Sequence, residues 1–184
     1  MAVSEPVIDS VIAITWDNVG AVRTVTGVTF DGNTMTELHE AGRATGLNVG
    51  CAIYLIVGSQ SGDIVVTFDG TVDSSQITVV ALEDEISGTP VDVGDAGAAT
   101  GTGTVMTNLL TPGMGGVRIA VYANDDPTTA VTWTNAVELT DVAVGPVSAP
   151  SHRHSVAYVL QNSDDDINAD GASDDHQLIG IALR

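Results

Sequence analysis

The 184 residues contain no lysine. The five basic side chains are all arginines (Arg23, Arg43, Arg118, Arg153 and Arg184) against twenty-four Asp and Glu, for a formal charge of -19. Without clustered cations there is nothing to neutralise a phosphate backbone, so nucleic acid is excluded as an expected partner. Cysteine is nearly absent too: Cys51 alone cannot make a disulfide within the chain. It lies in the apolar run Val49 to Val57, where a small buried hydrophobe is expected rather than a nucleophile. No apolar stretch approaches the ~18 residues that a membrane span requires, so membrane insertion is not expected. The start, Met1-Ala2-Val3-Ser4-Glu5-Pro6, has neither a basic n-region nor an apolar h-region, which predicts no secretory signal and synthesis in a cytoplasm. The motifs of common catalysis are missing as well: Gly-x-Ser-x-Gly, His-Glu-x-x-His and a phosphate loop ending in Gly-Lys-Ser/Thr. The Gly-rich stretch from Gly97 to Gly103 has no lysine to hold a phosphate. No enzyme is expected.

What is present is acid and apolar residues together. An acid excess without lysine keeps a protein soluble in molar salt, where the Debye length falls to ~3 Å and self-repulsion is screened. The composition therefore predicts a protein of an extreme halophile or of a virus of one. Disordered acidic chains are poor in apolar residues, whereas these make up 43% of the sequence. A chain of this length buries roughly 70% of its unfolded surface, enough for one domain over residues 1–184. Val, Thr, Gly and Asp are abundant and Phe and Trp scarce, a composition for strands and turns.

The hydrophobic pattern agrees. Ile12, Ile14 and Trp16 alternate with Ala13 and Thr15 in a strand predicted over Val7 to Trp16. Val22 to Phe30 runs through Asp31-Gly32-Asn33 into Thr34-Met35-Thr36, a hairpin signal. Val49 to Val57 is apolar on both faces, as for a strand in the middle of a packed sheet. Ile64 to Phe68 and Gln76 to Leu82 follow. Glu83 to Gly103 keeps no period and is expected as a long loop. Beyond it come Thr104 to Leu110, Val117 to Ala123, Ala130 to Thr134, Val137 to Val144, Val156 to Leu160 and Leu178 to Leu183. These roughly ten to twelve strands, with no helices between them, predict an all-β fold: an antiparallel β-sandwich or jelly roll. Trp16, Trp133 and Tyr158 are expected in its core.

Three segments carry a resemblance. They are Val25-Thr26-Gly27-Val28-Thr29-Phe30-Asp31-Gly32-Asn33-Thr34-Met35-Thr36, then Ile53-Tyr54-Leu55-Ile56 with Gly62-Asp63-Ile64-Val65-Val66-Thr67-Phe68, and Leu178-Ile179-Gly180-Ile181-Ala182-Leu183-Arg184. In content and order they resemble a broad group of bacterial and phage surface β-sandwich domains. The resemblance implies a display or adhesion module with no shared active site. The sequence departs from the group at the N-terminus, where no leading strand is expected and a neighbouring subunit would complete the first sheet edge.

Two constellations could hold a metal. In the acidic loop expected at about residues 162–175, Asp166, Asn168, Asp170 and Asp174 have the Asp-x-Asn-x-Asp-Gly spacing of a calcium loop, so Ca²⁺ or Mg²⁺ is the cofactor expected there. The closing acid is missing, because Gln177 stands where a bidentate Glu belongs. His152 and His154, two apart, share a face if extended, and with His176 could offer three imidazoles to zinc. Taken together, small size, acidity, the absent export signal and the resemblance predict a non-enzymatic structural protein of a virion: a capsid decoration, turret or tail component. It would act as a homo-oligomer beside other virion proteins. The alternative is a receptor- or glycan-binding module of a cell-surface or tail-fibre assembly.

Overall fold

The structure, a computed structural model, describes residues 2–7, 9–17, 21–41, 48–58, 60–82, 89–90, 92–98, 103–106, 116–146, 151–160, 166–171 and 175–183. The fold is all-β, and every strand pairing is antiparallel. In chain order the strands are β1 (Ala2–Val7), β2 (Asp9–Asp17), β3 (Val25–Phe30), β4 (Asn33–Thr34), β5 (Thr36–Ala41), β6 (Val49–Ile56), β7 (Gln60–Phe68) and β8 (Ser75–Leu82). They continue as β9 (Asp92–Ala98), β10 (Gly103–Met106), β11 (Val117–Asn124), β12 (Thr132–Thr134), β13 (Val137–Val144), β14 (His152–Leu160), β15 (Ile167–Asp170) and β16 (His176–Leu183).

Four sheets stack as layers. The first has the order β1-β7-β3-β4, the second β5-β6-β2-β8, the third β13-β14-β11-β16-β9 and the fourth β10-β15-β12. Successive side chains of a strand point to opposite faces, so a strand covered on both sides is apolar on both, and any polar residue there needs a partner. β2, β6, β11 and β16 are buried throughout and mostly apolar, with polar residues such as Ser10, Thr15, Arg118, Asn124 and Gln177 buried among the apolar ones. On β2, Val11 and Ala13 face the third sheet and share a core with Ile53, Leu55, Ile119, Val121, Ile179 and Ile181. The intervening Ile12, Ile14 and Trp16 face the first sheet and pack with Val28, Phe30, Tyr54 and Ile64. The far side of the third sheet, through Ala120, Tyr122 and Leu178, meets Val131, Ile167 and Ala169 beneath the fourth. Full burial of one aliphatic or aromatic side chain contributes about 1.5–3 kcal/mol, and these three interfaces contain most of the fully buried large side chains.

Two backbone details set the local geometry. The β3–β4 hairpin turns at Asp31 (φ 50°) and Gly32 (φ 78°), the two positive φ values that a tight primed turn requires. The chain then leaves that layer at once, and β5 pairs with β6 in the second sheet. At Gly50 a side chain is impossible without movement: a Cβ there would overlap the indole of Trp16, which lies across it.

Several expectations change. A leading strand does exist: β1 pairs with β7 within the same chain, with a register shift around the Glu5-Pro6 segment. The long loop expected at 83–103 contains β9, hydrogen-bonded along β16 from Ala98 to Asp92. The acidic loop expected at 162–175 contains β15, held between β10 and β12. In each case the partner strand, rather than local propensity, stabilises a segment poor in β-formers.

Candidate functional site

β14 begins His152-Arg153-His154, and its period of two sends both imidazoles to the second sheet while Arg153 points away. Both are fully buried. Thr15 of β2 lies between them, its Oγ1 3.0 Å from His152 Nε2 and 2.8 Å from His154 Nδ1. Thr78 of β8 closes one end, 2.7 Å from His154 Nε2. At the other end Ser74 Oγ lies 2.8 Å from His152 Nδ1 and 2.5 Å from Ser151 Oγ. The result is one chain of polar groups, Ser151–Ser74–His152–Thr15–His154–Thr78, threaded between the second and third sheets.

Its chemistry follows from donor counts. A neutral imidazole has one donor and one acceptor, and a hydroxyl can do both, so every contact is satisfied when all protons point one way along the chain, or all the other way. The neutral state is favoured: burial lowers His152 from 6.5 to about 4, and burial with the neighbouring His152 lowers His154 to about 3. Among the described residues, the hydrogen-bond partners of both rings are hydroxyls and none is a carboxylate. The Ser74–His152 contact therefore lacks the acid that orients the histidine of a nucleophilic triad, and His152 turns its other nitrogen to Thr15 instead.

His176 does not join this pair. On β16 it takes the opposite face of the third sheet, where its ring stacks on Tyr122 at 5.9 Å and 29°. The three-imidazole arrangement is thus not assembled, because one sheet separates the third ring from the other two. Asp166, Asn168 and Asp170 are spread along and just before β15, whose Ile167 and Ala169 face the core. Alternate residues of a strand stand roughly 6.5–7 Å apart, so these three do not converge as a coiled calcium loop would bring them. Asp174 lies outside the described residues. Among the described residues no group of three or more His, Cys, Asp or Glu is placed to hold a metal ion. Cys51 is fully buried, and burial drives its thiol far above the ordinary range, which leaves it inert at neutral pH.

Other polar residues also act as fasteners. Arg153 grips Asp141 of β13 with two parallel contacts, Nε to Oδ1 at 2.7 Å and Nη2 to Oδ2 at 2.5 Å, and donates a third bond to the Pro127 carbonyl. Asp141 Oδ2 also accepts from the Val131 amide at 3.1 Å. Trp133 Nε1 donates to Ser155 Oγ at 2.8 Å, tying the fourth sheet to the third. At one side of the stack His39 of β5 and Asp95 of β9 approach to 3.5 Å. The opposite side carries a mostly apolar groove of about 220 Å³ framed by β8, β13 and β14 and lined by Val80, Ala81, Leu82, Leu139, Tyr158 and Leu160.

Thr15, Ser74 and Thr78 escaped the sequence reading, since each lies 76 to 139 residues before the histidine it contacts. One signal existed. Thr15 shares the inward parity of Val11 and Ala13, and a hydroxyl on a core face needs a partner. Comparison with protein-family models, with curated proteins and with solved structures finds no match.

Proposed function

We propose that this chain is a non-enzymatic structural protein of a virus particle from a hypersaline habitat, serving as a capsid decoration, turret or tail component. The observation that carries the reading is how the buried polar groups are used. His152, His154, Thr15 and Trp133 spend their hydrogen bonds joining one layer to the next, with Arg153 and Asp141 pinning an edge strand. That is the pattern of a rigid building unit. A charge of -19 without lysine supports the salt habitat, because only screened surroundings tolerate such self-repulsion in a compact fold. The resemblance to surface β-sandwich domains supports display on a particle.

The test is mass spectrometry of purified intact particles together with immunogold labelling in negative stain. The chain should be present in many regular copies per particle and accessible to antibody. Its absence from intact particles would overturn the proposal.

A further inference from the structure

An edge strand offers a row of unpaired N–H and C=O groups, and soluble proteins blunt such edges with charges, proline, bulges or short length. Among the described residues, seven of the eight sheet edges are blunted. β4, β12 and β10 have two, three and four residues. β1 contains Glu5 and Pro6, β5 contains Glu37 and Glu40, β9 contains Asp92 and Asp95, and β13 contains Glu138 and Asp141. Three of those four also carry a register shift. β8 has none of these devices. Its eight residues, Ser-Gln-Ile-Thr-Val-Val-Ala-Leu, hold no charge and no proline, and its register with β2 is unbroken from Leu82 to Ser75.

A second observation falls on the same side of the stack. Among the described residues, four of the eight exposed large aliphatic side chains lie on β13 and β14: Val137, Leu139, Val142 and Leu160, the last 64% exposed. Leu139 and Leu160 line the groove that β8 borders. β8 itself is neutral, with the nearest acids in sequence beyond its ends at Asp73 and at Glu83-Asp84-Glu85, so in molar salt, where repulsion is screened within about 3 Å, the strand and the aliphatic groove offer another acidic molecule an uncharged face.

We infer that β8 is a self-association edge: two copies of the chain join antiparallel, β8 to β8, and extend the second sheet across a two-fold axis. An antiparallel pair of identical strands is self-complementary, which is the requirement of a closed dimer. The exposed positions Ser75 and Ala81 lie three residues either side of Thr78, so a pair centred there sets Ser75 of one copy opposite Ala81 of the other. The same axis brings the two apolar grooves together. This inference deepens the oligomeric part of the proposed function, and the test below uses free protein, so its failure leaves membership of the particle to be decided by mass spectrometry.

The experiment is sedimentation equilibrium in molar KCl, with circular dichroism as the check on folding. The wild type should have a mass twice 18.8 kDa. The Ser75→Glu/Ala81→Glu variant, which sets two like-charged pairs across the axis, should fall to the single-chain mass with an unchanged spectrum. Ser75→Arg/Ala81→Glu, which sets two opposite-charged pairs in the same places, should regain the doubled mass. A wild type that stays single-chain across a wide concentration range overturns the inference, as does a folded Ser75→Glu/Ala81→Glu variant that keeps the doubled mass. If that variant loses its β spectrum, hydrogen exchange of the wild type decides: protection of the Gln76 to Ala81 amides should rise with protein concentration, and protection independent of concentration overturns the pairing.

Discussion

Thr15 is a single hydroxyl set between two buried rings, and its removal has a calculable cost. Thr15→Val keeps the shape of the side chain but leaves His152 Nε2 and His154 Nδ1 without their partner. A buried polar group so stranded costs about 1–3 kcal/mol. Chemical unfolding in molar KCl should show that loss for Thr15→Val, and only a fraction of it for Thr15→Ser, which restores the hydroxyl. The rings themselves make stability depend on pH. Their folded values of about 4 and about 3 lie below the 6.5 of the free side chain, so the unfolded chain binds more protons as pH falls through 6.5. Stability is therefore full above pH 6.5 and declines until the folded values are reached. The slope is about 1.4 kcal/mol per pH unit for each ring once the unfolded form is protonated. Between pH 6.5 and 5, ahead of most carboxylate titration, the unfolding midpoint at fixed KCl should drop. A midpoint flat over that window would contradict the burial of the pair.

At the scale of the strand, the legible elements are those whose partners cover both faces. Val49 to Val57 and Ile12 to Trp16 advertise themselves because an interior strand of a stack is largely apolar on both faces. The Asp31-Gly32 hairpin was equally plain, since few residue pairs accept two positive φ values. β9 and β15 were not, because Asp-Val-Gly-Asp-Ala-Gly-Ala and Ile-Asn-Ala-Asp carry little β propensity and are held by neighbours distant in sequence. The candidate site divides the same way. Period two placed His152 and His154 on one face, whereas their hydroxyl partners and the separation of His176 depend on how the sheets stack. Gly50 belongs to this scale, as the gap in β6 into which the Trp16 indole fits. Gly50→Ala should cost about 1–3 kcal/mol through overpacking. Gly27→Ala, where a Cβ meets nothing within 4 Å, should change stability by no more than about 0.5 kcal/mol. Urea titration of the two variants side by side compares them directly.

The whole molecule is governed by its charge. With twenty-four acids and five arginines, repulsion reaches across the fold in dilute buffer, where the Debye length is about 30 Å at 0.01 M, and shrinks to contact range at 1 M. The melting temperature should climb steadily from dilute buffer to molar KCl. A melting temperature unchanged across that range would remove the basis for placing the protein in brine.

The order of strands in the third sheet also governs when the fold can form. β9 has one described neighbour in its sheet, β16, which follows it by about 80 residues, and β11 is flanked by β14 and the same β16. Until β16 has been synthesised, β9 has no ladder to join and one edge of β11 stays open. Pairings this far apart must close long loops before any contact rewards them, which places such folds among the slow folders, on the order of milliseconds to seconds. At a ribosomal pace of roughly 5–20 residues per second, β9 spends several seconds as a nascent segment waiting for its partner. Its two aspartates and two glycines, which hid it from the hydrophobic pattern, are also what keep it from aggregating during that wait.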